Sequence, residues 1–480
     1  GTVQTDYTYT DSGEIHTIGS NGQIDERYRY DGIGRLTRED NRFLNKTVVY
    51  NYDASGNITS KVVSGFTLSD SDPTGTSVAY DYASDGLKGR LISYNGKNLS
   101  NYNAQPYSNY GAPSVYFNHK STTSYWEMTW DGRTLKAMQQ KNTNGTTASE
   151  LISFRYDSDN IRTNKIVNGT RIDYIYVDGD LMRETRGDTN LTYFYGLYGV
   201  IGFEYKDANG QVSRYYYRKD IRGDIINILD NNGNVVVKYV YDAWGNHKVL
   251  DAAGTENTSD DFIGNINPIR YRGYYYDRET NLYYLISRYY DPEIGRFINN
   301  DSIYYIDPES INGLNLYSYC GNNPVNYIDP TGNSVIFILI ILGITTVVGG
   351  IVGGKVAYDK AVDEGKTGAD LFWSTVGGAF VGGAFGLAAG GAAVMLGAVG
   401  VGAAAAFGLG SGTLFGVGAA QAFAIGALAF NFTAFFVAPI IGVDMDGVEL
   451  ALDTTANYRR TYEYDRSKQS INNGFALLTS

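Results

Sequence analysis

Arg270 to Asp301 reads RYRGYYYDRETNLYYLISRYYDPEIGRFINND, and about thirty residues later the same region closes with GNNPVNYIDPTGN, ending at Asn333. Tyrosines alternate with polar or apolar neighbours, the period-two signature of strands. Strands end at Tyr-Asp pairs followed by turns: Tyr276-Asp277, Tyr290-Asp291 and, upstream, Tyr241-Asp242. Everything before this stretch looks like the same pattern in looser form, and everything after it changes character.

Working outward, the pattern repeats. Tyr30-Asp31-Gly32-Ile33-Gly34-Arg35-Leu36 recurs as Tyr52-Asp53-Ala54-Ser55-Gly56-Asn57-Ile58, a step of 22 residues, and the same step separates Asp220 from Asp242. Looser copies stand at Tyr9-Thr10-Asp11-Ser12-Gly13, Trp130-Asp131-Gly132-Arg133 and Tyr156-Asp157-Ser158-Asp159. Periods of this length mean stacked units that bury one another's apolar faces.

One unit can be derived from its residues. In Asn234 to Asp242, Val235, Val237, Tyr239 and Tyr241 share one face, while Val236, Lys238 and Val240 share the other. Asn231-Asn232-Gly233-Asn234 supplies the preceding hairpin turn. Asp242 accepts from backbone N–H groups two residues on, and Gly245 takes positive φ at no steric cost. The aspartates Asp31, Asp53, Asp242 and Asp277 are thus expected to be structural turn residues.

Composition narrows the function. Of 43 tyrosines, 39 precede Ser334, which argues for extensive sheet up to that point. A net charge of −12, with no basic cluster, argues against a nucleic-acid partner. Cys320 is the single cysteine and His16, His119 and His247 are far apart, which excludes a disulfide framework and argues against a Cys/His zinc site; no cofactor is expected. Cys320 itself reads as a buried small hydrophobe. The chain starts at Gly1 without Met or signal peptide, as the back end of something longer would.

These repeats resemble YD (RHS) repeats, and KDIRGDIINILDNNGNVVVKYVYDAWGN, NPIRYRGYYYDRETNLYYLISRYYDPEIGRFINND and NLYSYCGNNPVNYIDPTGN resemble the RHS repeat-associated core domain, in the manner of Gram-positive YD-repeat proteins. The resemblance implies a mainly β fold: a β-strip spiralling into a shell, plugged by the core domain, with a variable C-terminal cargo behind a DPxG motif, as in Tc and RHS polymorphic toxins. The expected division is 1–210 degenerate repeats, 211–333 core domain, 334–443 hydrophobic segment and 444–480 polar tail. The resemblance further implies an aspartyl-type self-cleavage using Asp291 and Asp301 near Arg288, cutting around Gly332 and Asn333. Such chemistry needs two carboxylates sharing one proton. The chain departs from the Tc-type pattern: Tyr289 follows Arg288 where that pattern has aspartate, Ser302 follows Asp301 in place of proline, and Asn333 replaces leucine. Asp291 is also an ordinary Tyr-Asp turn residue.

After the junction, Val335 to Gly354 is uncharged and Leu371 to Val443 carries no charge over 73 positions. Twenty apolar residues suffice to cross a bilayer as a helix. Gly378, Gly382, Gly386 and Gly390, then Gly408, Gly412 and Gly416, form four-residue steps that bring membrane helices into close contact. A Gly/Ala-rich helical segment that inserts in membranes is expected, or else an apolar hairpin enclosed by the shell. Two functions follow as expectations. The first is a secreted or surface polymorphic-toxin-like protein with a membrane-active C-terminal segment and a cognate immunity protein. The second is a wall-associated adhesive protein whose Tyr-rich strands contact cell-surface carbohydrate.

Overall fold

The computed structural model describes residues 5–84, 89–149, 151–177, 179–196, 199–302 and 315–333, with the backbone of Ile336–Phe337. The chain divides into two units, Gly1–Phe337 and Ile338–Ser480, and the described residues belong to the first. The hydrophobic segment 334–443, its glycine steps and the tail 444–480 lie outside the described residues, save the short strand Ile336–Phe337, which pairs with Tyr327–Ile328. Among the described residues no helix is long and apolar enough to cross a membrane.

Two meanders carry most of the fold. One sheet runs through nine strands from Thr5–Tyr9 to Lys97–Asn98, and another through thirteen from Val115–Phe117 to His247–Asp251; in both, spatial order equals chain order. Each strand therefore pairs with its sequence neighbour across a short turn, which antiparallel pairing permits. Alternation decides the faces. In Val235–Tyr241, Val237, Tyr239 and Tyr241 are buried while Val236, Lys238 and Val240 are partly exposed.

The turns repeat one hydrogen-bond pattern. Asp31 Oδ1 accepts from the N–H groups of Ile33 and Arg35 at 3.1 and 2.9 Å. Asp53 accepts from Ser55 and Asn57, both at 2.8 Å, and Asp242 from Trp244 and Asn246 at 3.0 and 2.9 Å. Gly245, at φ +94°, closes the last of these against the ring of Tyr271, leaving no room for a Cβ. Such side-chain to backbone bonds compete with strand continuation and so stop the strand where the aspartate stands.

The preceding tyrosine does more than fill the core. Tyr30 donates to the Ile15 carbonyl at 2.7 Å, Tyr52 to Leu36 at 2.5 Å and Tyr241 to Ile225 at 2.8 Å, and Tyr82, which precedes Ala83 instead of an aspartate, donates likewise to Ile58 at 2.8 Å. Each acceptor lies in the preceding repeat. The hydroxyl thus ties one unit to the last while the ring packs between them.

Between the two sheets and 315–333 sits a compact segment, 263–302, with a four-stranded sheet of Tyr275–Asp277, Leu282–Leu285, Arg288–Asp291 and Arg296–Phe297. The rings of Tyr271, Tyr274, Tyr283 and Tyr290 pack against one another, tilted or edge-on for the most part, and against Tyr319 of 315–333, with Tyr290 and Tyr319 centroids 4.1 Å apart. Both large sheets grip this segment. Lys61 Nζ and Tyr94 Oη of the first reach Glu293 Oε1 at 3.0 and 2.6 Å, and Arg162 of the second reaches Asp277.

Candidate functional site

The strand Arg288–Asp291 pairs with Arg296–Phe297, and its first side chain gathers the ends of several loops. Arg288 is 3% exposed. Its Nη2 lies 2.8 Å from Asp301 Oδ2 and donates to Asp329 Oδ2 at 3.3 Å; its Nη1 donates to the Leu316 carbonyl at 3.1 Å, and its Nε to the Gly332 carbonyl. The guanidinium lies over the Phe297 ring. One planar cation therefore holds two carboxylates and the junction backbone, a geometry that suits arginine's fixed fork of donors.

The junction is held from its other side too. The Asn333 N–H donates to Asp329 Oδ1 at 3.1 Å. Ser287 Oγ donates to the Thr331 carbonyl at 2.7 Å. Gly332 adopts φ +75°, and a Cβ there would stand 2.7 Å from the Leu285 carbonyl oxygen and 2.8 Å from Ser287 Oγ. The peptide bond between Gly332 and Asn333 thus has its C=O on an arginine and its N–H on a carboxylate.

Burial pushes the Asp301 carboxyl above its ordinary range, and Arg288 and then the Ser302 N–H and Arg133 draw it back. The same burial lowers the Arg288 guanidinium, with Asp301 and Asp329 opposing it. A carboxyl pushed up by burial and flanked by cations gives up and takes a proton more readily than one held fully ionised.

The residues singled out in the sequence separate. Asp301 and Arg288 come together at Gly332 and Asn333. Asp291 takes other partners: Tyr116 Oη at 3.1 Å, His119 Nε2 at 2.7 Å, and the N–H groups of Glu293 and Ile294 at 3.0 and 3.3 Å. The reason is strand geometry. Side chains three residues apart on a strand point to opposite faces and sit roughly 10 Å apart along it, so Arg288 and Asp291 cannot share one site. Sequence reasoning missed Asp329, whose place in YIDPTGN reads as a junction marker, and whose proximity to Arg288 depends on a pairing 41 residues apart.

Asp277 also departs from its neighbours in the repeat. Its carboxylate turns inward and binds Arg162 through both oxygens, at 2.5 and 3.1 Å, and Lys165 Nζ at 2.6 Å. Burial opposes ionisation there, but Arg162 and Lys165 hold the carboxyl below its ordinary value. Cys320 is 1% exposed and burial pushes its thiol well up, the condition of an unreactive core residue.

Comparison with known proteins fits this architecture. Residues 181–325 match the family model Teneurin YD-shell. The tRNA nuclease WapA of Bacillus subtilis strain 168 is 36% identical over 221 residues, 45% of this chain and 9% of WapA. The double-stranded DNA deaminase toxin A of Burkholderia cenocepacia strain H111 is 34% identical over 119 residues, 25% of this chain and 7% of that toxin. This chain therefore spans less than a tenth of either relative. Among solved structures, the TcdB2-TccC3-Cdc42 crystal structure superposes with a TM-score of 0.50 at 19% identity, covering 69% of this chain and 17% of that one, a likeness of fold. Tyr-Asp turns at a 22-residue step, tyrosines tied to the preceding repeat, and these matches together make the chain an RHS/YD-repeat protein.

Proposed function

We propose that this chain is the shell end of a polymorphic-toxin-type protein, secreted or displayed at the cell surface, whose core domain clamps the segment beyond Asn333 and releases it by cutting its own backbone. The observation that carries this reading is the Arg288 guanidinium bonded at once to the Gly332 carbonyl and to Asp329, with Asp301 beside it. Two relatives whose names record different activities, a tRNA nuclease and a DNA deaminase, share stretches with this chain. That supports a common carrier with exchangeable cargo.

In this mechanism the pair Asp301 and Asp329 replaces the pair Asp291 and Asp301. Ionised Asp301 takes a proton from water as its oxygen attacks the Gly332 carbonyl carbon. Arg288 Nε–H stabilises the oxyanion that forms, an effect of about 3 kcal/mol for one such donor. Protonated Asp329, in contact with the Asn333 nitrogen, passes its proton there as the C–N bond breaks. The immediate products are a Gly332 carboxylic acid and an Asn333 amine; the acid then passes its proton to the amine, and the aspartate pair keeps a single proton, now on Asp301. Asp301→Asn and Asp329→Asn are each expected to leave a single full-length band on a denaturing gel where the parent chain gives two. Equal processing of parent and variants would sink the mechanism.

The cargo is proposed to act on membranes through its uncharged stretch and its glycine steps. Expression of 334–480 alone is expected to arrest bacterial growth and depolarise the membrane, and co-expression of a cognate immunity protein to relieve it. Normal growth with the segment in the membrane would favour a wall-associated, carbohydrate-contacting protein anchored by this segment.

A further inference from the structure

We propose that Arg133 is a positioning residue supplied by the shell, which completes the Asp301 site only when the thirteen-stranded sheet lies against the core segment. This rests on the cleavage reading above and adds its regulation: release is coupled to shell assembly.

Arg133 belongs to the turn between the strands Ser124–Asp131 and Thr134–Asn142. In comparable turns the arginine is captured by its own aspartate. Arg35 Nε bonds Asp31 Oδ2 at 2.6 Å, and Arg222 Nε bonds Asp220 Oδ2 at 2.8 Å. Here Asp131 pairs with Lys136 at 3.5 Å, and Arg133 extends away from its turn. Its Nη2 donates to the Asn300 carbonyl at 3.1 Å and approaches Asp301 Oδ1 at 3.5 Å, across 168 residues of sequence.

The two Asp301 oxygens therefore face two cations from two parts of the fold. Oδ2 meets Arg288 of the core strand; Oδ1 meets Arg133 of the shell turn and the Ser302 N–H at 2.6 Å. The third titratable group is Asp329, which meets the same Arg288 Nη2 that pairs with Asp301. A base must be ionised to accept a proton, and burial works against that. Arg133 offsets part of the burial, and at 36% exposure it does so in reach of solvent, where it can arrive late in folding without strain. A chain whose shell hairpin is not seated lacks this cation and holds Asp301 protonated to higher pH.

The test follows cleavage of the pulse-labelled full chain, made by cell-free synthesis and shifted to buffers between about pH 5 and pH 8. Arg133→Met is expected to move the acid limb of the rate profile up by about one unit, hence about tenfold slower on that limb. Arg133→Lys, which keeps the charge, is expected to restore most of the rate. A Met variant with the parent profile, or one slowed equally at every pH, would overturn the proposal. Thermal unfolding of the Met variant at the parent temperature secures the comparison. If the parent chain itself stays intact and matches Asp301→Asn, the cleavage reading has failed, and the coupling with it. Cleavage that is normal in the parent but indifferent to Arg133 removes the coupling alone.

Discussion

Arg162 and Asp277 are each 0% exposed and form a bidentate pair, with Arg162 Nη1 to Asp277 Oδ2 at 2.5 Å, 115 residues apart in the chain. The arginine comes from the thirteen-stranded sheet and the aspartate from the core segment, so the bond is a seam between them. Phe154, Tyr174, Tyr275 and Tyr284 surround the guanidinium, the nearest ring centroid at 4.3 Å. Removing one partner leaves an uncompensated buried charge. Arg162→Met is expected to cost about 3–5 kcal/mol in denaturant unfolding. A loss below about 1 kcal/mol would mean that Lys165 alone neutralises Asp277.

A second seam titrates. Glu39, 0% exposed, accepts from the Ala243 N–H at 2.9 Å and from Asn41 at 3.1 Å. Burial and then Asp242 push its carboxyl from 4.5 up to about 8. Between these values the native state keeps a proton that the unfolded chain has released. Stability from this group is therefore full below about 4.5 and declines as pH rises through about 8. Glu39→Gln is expected to flatten this slope in unfolding measurements across that range. Parallel slopes for the two proteins would contradict the assignment.

The tyrosine hydroxyls that tie each repeat to the last can be tested singly. Tyr52→Phe keeps the ring and loses the 2.5 Å bond to the Leu36 carbonyl, an expected cost of about 1 kcal/mol. Tyr52→Ala also empties ring volume and is expected to cost about 3–5 kcal/mol. Equal losses for both would assign the stabilisation to the hydroxyl alone.

Gly332→Ala probes the clamp without touching a charge. A Cβ would stand 2.7 Å from the Leu285 carbonyl oxygen, and φ +75° disfavours alanine in any case. The expected result is a junction displaced from Arg288, with self-cleavage lost and trypsin or elastase access near 331–333 gained. Limited proteolysis read by mass spectrometry checks both. Unchanged cleavage would show that the slot at Gly332 is not needed.

What the sequence made legible was local. A Tyr-Asp turn announces itself because tyrosine, aspartate and glycine act within five residues, and the 22-residue step follows from one such unit stacking on the next. The seams were not legible. Arg162 and Glu39 look like ordinary polar residues of half-exposed strands and Arg133 like a turn residue, and only folding brings each to its partner more than a hundred residues away. Asp291 shows the converse. It stands in the expected motif, yet strand alternation turns it to Tyr116 and His119. Asp329 was hidden by its own motif, since an aspartate before proline reads as a turn whatever its carboxylate does.

The clamp at Arg288 is proposed to perform chemistry on the bond it holds. Intact-mass measurement of the full chain in denaturant, with N-terminal sequencing of the smaller species, tests it most directly. Two species are expected, one ending at Gly332 and the other beginning at Asn333. One species of full-length mass, in the parent chain and in Asp301→Asn alike, would contradict it.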